Sequence, residues 1–149
     1  MKLEEEIKQV KFRNAHHKAV VNLLFTTNWF VNQNKDFFKK YGVTNVQFNI
    51  LRILRGQHPQ KLSGAEIKSR MLDKNSDVSR LLDRLIVKKL IEKSQCPNDK
   101  RASDVIITPK GLSLLAAIDT EMDKTDRQIL GINAAEAKLL SDLLDKCRG

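Results

Sequence analysis

The chain has 149 residues, enough for one domain with a full core, and hydrophobic residues make up 41% of it. Lysine and arginine outnumber aspartate and glutamate by 27 to 18, and this net charge of +9 favours a polyanionic partner. Aromatic residues make up only 5%, too few for the stacking platforms of single-strand binders, and no apolar segment approaches membrane-spanning length. Two cysteines give no disulfide framework, and the acidic first residues do not resemble a signal peptide, so we expect a cytoplasmic protein.

The first 40 residues contain neither glycine nor proline and predict one long helix that ends near Gly42. Apolar side chains recur along this segment from Leu3 to Phe38, which is more apolar length than a small domain can cover. We therefore interpret residues 1–42 as a dimerisation helix whose surplus apolar face meets a second copy of the chain.

Residues 43–111 predict a helix-turn-helix followed by a β-hairpin. Capping boxes that begin at Thr44 and Ser63 open two short helices. The polar turn at residues 73–75 then leads into an amphipathic helix over Ser76–Lys88, and two helices joined in this way are typical of DNA-binding modules. The apolar stripe of this last helix consists of Val78, Leu81, Leu82 and Leu85.

Arg80, Arg84 and Lys88 are spaced four residues apart, which predicts one cationic ridge on the outer face of this helix. Arginine can bind the O6 and N7 atoms of guanine with two hydrogen bonds, so this ridge is a candidate for base recognition. The alternative is that the arginines form ion pairs within the helix, with Asp77 or Asp83. We favour DNA contact for Arg80.

For Arg84 we favour a supporting ion pair with Asp99 of the hairpin, which would fix the angle of the hairpin. Ser76 and Ser79 lie in the predicted first turn, where each can cap the helix or donate to a phosphate. Asp77 could accept from a cytosine amino group, but an acidic residue in a first turn also interacts favourably with the helix dipole, and we favour that role.

Ser63 is expected to cap its own helix and to be available to a phosphate as well. Beyond the Ser76–Lys88 helix, two strands are predicted, Ile91–Gln95 and Asp104–Thr108, joined by a turn at Pro97–Asp99. Lys100 and Arg101 would lie near the tip, and Arg101 is the strongest candidate for the minor groove. Residues 43–111 contain 14 basic and 7 acidic residues, so this segment carries most of the positive charge.

Residues 112–149 carry 5 basic and 7 acidic residues and predict two further helices. Thr108 followed by a proline begins the first helix, which runs to about Leu130, and Gly131 ends it. A third capping box, at Asn133, opens the last helix. We interpret this segment as the second part of a dimerisation platform. The alternative is that both terminal segments pack only on the module of residues 43–111.

At this point the sequence resembles the MarR family of winged-helix transcriptional regulators, over about residues 40–145. The motifs that carry the resemblance are Val43-Thr44 with Gln47-Phe48, Leu62-Ser63 with Glu66-Ile67, the run Asp77–Leu85, Asp99-Lys100-Arg101, and Ile107–Gly111. The resemblance implies a mostly α fold with a small β-hairpin wing (α+β). It also implies an obligate homodimer that binds double-stranded DNA and is often released by a small-molecule effector.

Two positions depart from the pattern of that family. Lys89 stands where the family commonly has a glycine with positive φ, so we expect a strained or reshaped helix end. Lys100 stands in the middle of the wing motif, which keeps the charge and leaves Asp99 and Arg101 in place.

His16, His17 and Trp29 are the only residues that hint at an effector pocket. Adjacent histidines on a helix point about 100° apart, which disfavours a shared metal ion, and surface or interface histidines are the simpler interpretation. Cys96 near the wing tip is a weak candidate for an oxidant sensor. No catalytic motif is present, so we expect neither an enzyme nor a bound cofactor.

The sequence thus predicts a ligand-responsive repressor that binds a pseudo-palindromic operator as a homodimer. The alternative is a winged-helix module for protein–protein interaction, whose basic face binds an acidic partner.

Overall fold

The structure, a computed structural model, describes the backbone of residues 1–96 and 99–149, and the side chains of these residues except for 95–103. The chain divides into two compact units, Met1–Asn45 and Val46–Gly149. The predicted fold class is confirmed, since the described residues are mostly helical and include one small antiparallel sheet. The division into residues 1–42, 43–111 and 112–149 stays a prediction.

The first unit contains two helices, α1 (Leu3–Glu6) and α2 (Ala15–Lys39), so the prediction of one continuous N-terminal helix was wrong. The backbone leaves the helical conformation after α1, and Lys8 adopts a φ of 53°. Asn14 then begins a new helix, because its Oδ1 accepts a hydrogen bond from the backbone N–H of His17 at 2.8 Å. An asparagine that caps a helix offers the backbone an alternative to helix continuation, and this local signal outweighed the absence of glycine and proline.

The second unit is built around one core. The largest fully buried side chains of this unit come from α3, α4, α5, the sheet and α6, whereas α7 has no buried residue. The elements are α3 (Asn45–Gln57, which starts at the boundary between the units), β1 (Leu62–Ser63), α4 (Gly64–Arg70), α5 (Val78–Val87), β2 (Ile91–Cys96), β3 (Asp99–Ile107), α6 (Pro109–Leu130) and α7 (Ala134–Arg148).

The sheet has three antiparallel strands in the order β1-β3-β2, so the sequence prediction of a two-stranded hairpin missed β1. Leu62 pairs with Val105 and Ser63 with Asp104. Two residues are too few to show the alternation that identifies a strand, and β1 exists only because β3 offers it an edge. The hairpin itself is confirmed, although the predicted turn residues 97 and 98 lie outside the described part of the chain.

Most predicted helix boundaries are confirmed. Ser63 and Asn133 each form a capping box, and Thr108 caps α6 with a proline in its first turn. Gly42 and Gly131 adopt φ values of 70° and 62°, as their roles in ending helices require. The predicted capping box at Thr44 stays a prediction.

Several boundaries differ from the sequence prediction. Strand β3 begins at Asp99, five residues before the predicted Asp104. Helix α3 continues through Gly56 to Gln57 and not only to about Arg55. Helix α5 begins at Val78 and not at Ser76, because Asp77 is its N-cap and accepts a hydrogen bond from the backbone N–H of Arg80 at 3.2 Å.

The C-terminal end of α5 is strained, as Lys89 in place of glycine predicted. Lys89 adopts a φ of 60°. Its backbone N–H donates to the carbonyl of Ile86 at 2.8 Å, and the N–H of Leu90 donates to the carbonyl of Leu85 at 3.1 Å. These two bonds form the Schellman arrangement that usually requires glycine, so the geometry of the glycine cap is kept although the residue is a lysine.

Thr108 joins this helix end to the start of α6. Its hydroxyl donates to the carbonyl of Lys89 at 2.8 Å and accepts from the N–H of Gly111 at 3.1 Å. Its own N–H donates to the carbonyl of Leu90 at 3.1 Å. One residue therefore caps α6 and holds the last turn of α5 at the same time.

Gly111 allows this close approach. A Cβ atom at this position would lie 2.4 Å from the carbonyl oxygen of Leu90 and 2.6 Å from a side-chain carbon of Ile107. Any side chain would therefore push α6 away from the residues that follow α5.

We expect Lys89→Gly to stabilise the protein by about 1 kcal/mol, because a Cβ atom in the left-handed conformation costs about 1–2 kcal/mol and part of that gain is lost to the flexibility of glycine. Chemical denaturation of the purified protein measures this difference. Lys89→Ala is the matched control, since it removes the same charged side chain but keeps the Cβ atom, and its stability should stay near that of the wild type. A destabilised Lys89→Gly variant would contradict the strain at this position.

Candidate nucleic-acid interface

The helix-turn-helix is formed by α4, the turn after it and α5. The turn is held from both sides, because Asn49 of α3 accepts a hydrogen bond from the N–H of Leu72 at 3.0 Å. Within the turn, the carboxylate of Asp73 accepts from the N–H of Asn75 at 2.9 Å. These contacts fix the direction in which α5 leaves the turn.

Helix α5 buries one face and exposes the other. Val78, Leu82 and Leu85 are buried as predicted, while Leu81 is only half-buried. The exposed residues of the helix are Ser79, Arg80, Asp83, Arg84 and Val87. Since every one of these points away from the core, the outer face of α5 is available to a partner.

The residues at the start of α5 have roles that differ from those the sequence predicted. Asp77 is the N-cap and not a first-turn residue, and its side-chain oxygen is engaged by the N–H of Arg80. Ser76 precedes the helix and does not cap it, while Ser79 lies in the first turn as expected and is exposed. A capping carboxylate also suits the positive end of the helix dipole, which agrees with the role we favoured for Asp77.

Ser63 caps α4 through a reciprocal pair of bonds. Its hydroxyl accepts from the N–H of Glu66 at 3.2 Å, while its own N–H and hydroxyl each lie 2.8 Å from the Glu66 carboxylate. Two hydrogen bonds that Ser63 donates to the Glu66 carboxylate lower the pKa of Glu66. The bond from the backbone N–H has the larger effect and the bond from the hydroxyl the smaller one. Because this folded-state pKa is depressed, the contribution of the cap to stability is present at neutral pH and is lost as the pH falls through it.

Two clefts meet at the start of α5. The larger, of about 520 Å³, brings the first residues of α4 and α5 together with a lysine, and it is lined by Gly64, Ala65, Lys68, Asn75, Ser76, Asp77, Val78 and Ser79. The smaller, of about 240 Å³, is lined by Val46, Ser76, Asp77, Arg80, Leu81 and Arg84. The structure thus gathers Ser76, Asp77, Ser79, Arg80 and Arg84 around one short stretch of surface.

Lys68 was not identified from the sequence. It lies on α4, is exposed and lines the larger cleft. Its position on the polar face of a helix just before the turn would have been the signal, since the first helix of such a motif crosses the DNA backbone.

Arg80 and Arg84 are exposed, and neither forms an ion pair with any described carboxylate. The alternative of ion pairs with Asp77 or Asp83 is therefore not what the structure contains. Among the described residues, these two arginines have no ion-pair partner, so their guanidinium donors are available to an external one.

The predicted ridge of three cations is shortened to two. Lys88 is half-buried, and its Nζ donates to the side-chain oxygen of the buried Gln47 at 3.1 Å. The sequence spacing was right for a shared face, but Lys88 lies past the last turn of α5, where its side chain turns inward to α3.

The side chains of Asp99, Lys100, Arg101 and Cys96 lie outside the described part of the structure, so the predicted pair of Arg84 with Asp99 stays a prediction. At the described base of the wing, Lys93 is exposed. Lys61 donates from its Nζ to the hydroxyl of Ser94 at 3.0 Å. Lys61 and Lys93 therefore place positive charge at the base of the wing.

His16, His17 and Trp29 are not brought together. Trp29 lies twelve residues after His17 on the same helix, about 18 Å along its axis. His17 has a local role, since its Nδ1 accepts from the N–H of Arg13 at 3.2 Å and its ring contacts that of Phe12. These three residues therefore do not line one pocket within a single copy of α2.

Among the described residues, no group of three or more histidine, cysteine, aspartate or glutamate side chains could hold a metal ion. No helix in the described part of the chain is long and apolar enough to span a membrane.

Comparison with known proteins agrees with this geometry. Residues 43–103, which include the helix-turn-helix and most of the wing, match the sequence model of the MarR family. This part of the chain is similar to the MarR family. PecS of Dickeya dadantii (strain 3937), an HTH-type transcriptional regulator, is 28% identical over 102 residues, which are 68% of this chain and 61% of PecS. The matched part of the chain thus spans about three fifths of the length of this curated relative.

Solved structures of MarR-type proteins share the fold. A mutant MarR from E. coli, in complex with operator DNA, superposes with a TM-score of 0.74 at 21% identity, covering 99% of each chain. BpsR from Bordetella bronchiseptica, whose DNA binding is regulated by 6-hydroxynicotinic acid, gives a TM-score of 0.78 at 23% identity, covering 89% of this chain and 99% of BpsR.

These matches confirm the predicted resemblance to the MarR family and its winged-helix fold. The expected class, a transcription regulator, is that of the relative PecS.

We expect Asp77→Ala to destabilise the protein by about 1 kcal/mol, because the variant leaves the first N–H groups of α5 without their capping oxygen. Thermal or denaturant unfolding followed by circular dichroism measures the loss. Asp77→Asn is the matched control, since asparagine caps a helix equally well, and its stability should remain within a few tenths of a kcal/mol of the wild type. If both variants lose the same stability, the carboxylate has a role other than capping.

Proposed function

We propose that this protein is a cytoplasmic transcriptional regulator that binds double-stranded DNA by inserting the outer face of α5 into a major groove. The observation that carries the proposal is the pair of exposed arginines on α5, Arg80 and Arg84, which form no ion pair with any described carboxylate. Helix α5 lies within the residues that match the MarR family model. An α-helix fits the major groove, and arginine is the side chain most suited to reading guanine there.

Each site residue has a chemical role in this proposal. Arg80 contacts a base edge, while Arg84 contacts DNA or supports the wing. Ser76 and Ser79 donate to phosphates from the edge of the larger cleft, and Lys68 on α4 adds a second backbone contact across it. Asp77 caps the helix and thereby positions these groups.

Further contacts come from Ser63 and from the wing. The hydroxyl of Ser63 is engaged by Glu66, so any phosphate contact would have to share it. Lys100 and Arg101 are proposed to reach a neighbouring minor groove, with Asp99 orienting the wing. The net charge of +7 over residues 43–111 supports a polyanionic partner for this module.

The proposal includes a homodimer that is held together by the terminal helices. Helix α7 exposes Leu139, Leu140 and Leu143 by 58%, 42% and 51%, which is an apolar face too large for a helix surrounded by water. Helix α2 independently exposes Val20, Leu23, Leu24 and Val31. Partner helices from a second copy would cover both faces and leave the basic module free.

A two-fold dimer would present two recognition helices to one side of the duplex. Successive major grooves lie about 34–36 Å apart, so the half-sites of the operator would form an inverted repeat with centres about 10 base pairs apart. Such a protein blocks or adjusts transcription from the overlapping promoter, and we propose repression as its mode of action.

Release by a small molecule is the last part of the proposal. Its support is the BpsR structure, because that protein shares the fold and its DNA binding is regulated by 6-hydroxynicotinic acid. A ligand that binds more tightly to dimers with one spacing of the two recognition helices would increase the fraction of dimers with that spacing. The apparent affinity for DNA would then change in proportion to the fraction of dimers that keep the DNA-binding spacing.

We expect Arg80→Ala to relax sequence discrimination, because a bidentate arginine–guanine contact contributes about 1–3 kcal/mol of discrimination against the wrong base. Fluorescence anisotropy with a selected operator and with random duplex DNA, each titrated with salt, measures both affinities. The ratio between the two should fall by about one to two orders of magnitude for the variant.

Arg127→Ala is the matched control for this experiment. Arg127 is an equally exposed arginine on α6, where it pairs with Asp123 at 2.9 Å. Its loss should leave both affinities unchanged. If the wild type binds random DNA without a steep loss of affinity in salt, the polyelectrolyte contribution is absent and an acidic protein partner becomes the better assignment.

We expect Leu140→Asp to convert the dimer into monomers, because a charge placed in a covered apolar interface would be buried without a partner. Sedimentation velocity measures the mass, and far-ultraviolet circular dichroism checks that the helices remain. Leu72→Asp is the control, since Leu72 is 87% exposed in the turn before α5 and belongs to neither terminal helix. A Leu140→Asp variant that stays dimeric would exclude α7 from the interface.

A further inference from the structure

Val87 is the one apolar residue on the outer face of α5, and 81% of it is exposed. The other exposed residues of this helix are a serine, an aspartate and two arginines. A single exposed valine on a protein surface is ordinary. This one lies on the face that we propose to enter the major groove, and the following inference rests on that proposed function.

Helix propensity gives no reason for a valine at this position. Valine is stiff at χ1 and is a weaker helix former than alanine, lysine or glutamate, which usually occupy exposed helical positions. Helix α5 is only 10 residues long, so each unfavourable position matters to it. A benefit to folding therefore does not explain Val87, whereas a contact with a partner does.

The geometry of the helix relates Val87 to Arg80. The two residues are seven positions apart, so they lie within about 20° of each other around the helix and about 10.5 Å apart along it. At a rise of about 3.4 Å per base pair along the duplex axis, this distance corresponds to at most about three base pairs, because the groove is inclined to that axis. A helix that lies along the groove with Arg80 on a base edge thus carries Val87 over base edges up to about three steps away.

The last turn of α5 is held in place, and its surroundings are cationic. The carbonyl of Lys88 accepts from the Nζ of Lys110 at 3.1 Å, and that of Lys89 accepts from the Thr108 hydroxyl. These contacts neutralise the negative end of the helix dipole, which would otherwise repel phosphates. Val87 therefore directly precedes a helix end that is held by these contacts and carries Lys88 and Lys89.

In the major groove, the apolar group that a base pair offers is the C5-methyl of thymine. We propose that Val87 is a specificity-determining residue, and that it packs against the methyl group of a thymine within about three base pairs of the base pair that Arg80 contacts. The contact would select thymine over cytosine in each half-site without a hydrogen bond.

The test replaces thymines by deoxyuridine, which removes the methyl group and leaves base pairing unchanged. A duplex operator is first selected from random DNA with the wild-type protein, and each thymine of a half-site is then replaced in turn. We expect one replacement to weaken binding of the wild type by about fourfold per half-site, the effect of exposing about one buried methyl group. In Val87→Ala, the same replacement should change affinity by less than about twofold, because the methyl group has lost most of its partner.

Val10→Ala is the matched control, since Val10 is a valine of similar exposure, 83%, in the other unit of the chain. This variant should keep the full sensitivity to deoxyuridine. Two results together would overturn the role of Val87 alone. In the deoxyuridine scan, no thymine would be more sensitive in the wild type than in Val87→Ala, and Arg80→Ala would still lose affinity for the selected operator. Failure to select any operator, or an Arg80→Ala variant that binds it normally, overturns the proposed function instead.

Discussion

The hydrogen bonds of Thr108 hold together the part of the molecule on which the rest depends. The recognition helix α5 is short, and a helix of 10 residues is marginal without tertiary support. Thr108 supplies that support at its C-terminal end, because its hydroxyl and N–H hold the carbonyls of Lys89 and Leu90. Gly111 keeps α6 close enough for these bonds, and the same hydroxyl accepts the N–H that begins α6.

The opposite end of α5 is fixed by different chemistry. Asp77 accepts from the backbone N–H of Arg80 in the first turn of the helix, and Asn49 holds the preceding turn to α3. The Arg55 guanidinium reaches Asp119 at 2.5 Å and joins α3 to α6. The recognition helix is thus attached at both ends to elements that are themselves connected, which leaves its arginines free while its axis is constrained.

Local hydrogen-bond chemistry made much of this predictable from the sequence. The caps at Ser63, Thr108 and Asn133 and the left-handed residue at Lys89 each depend on a few neighbouring residues, so the sequence carries their whole cause. Contacts between distant residues were not predictable. The strand at Leu62 needs the edge of β3, and the inward turn of Lys88 needs the buried Gln47 of α3, whose position no local pattern reveals. The break before Asn14 was local and was overlooked because a cap within an apolar run is a weak signal.

The junction at Thr108 also links the orientation of α5 to the orientation of α6. Helix α6 has 22 residues and is therefore about 33 Å long, and its first turn is bonded directly to the end of the recognition helix. If the two move as one body about this junction, a displacement of about 3 Å at the far end of α6 turns the recognition helix by about 5°. The orientation of α5 would then depend on contacts near Gly131, about 33 Å away along α6.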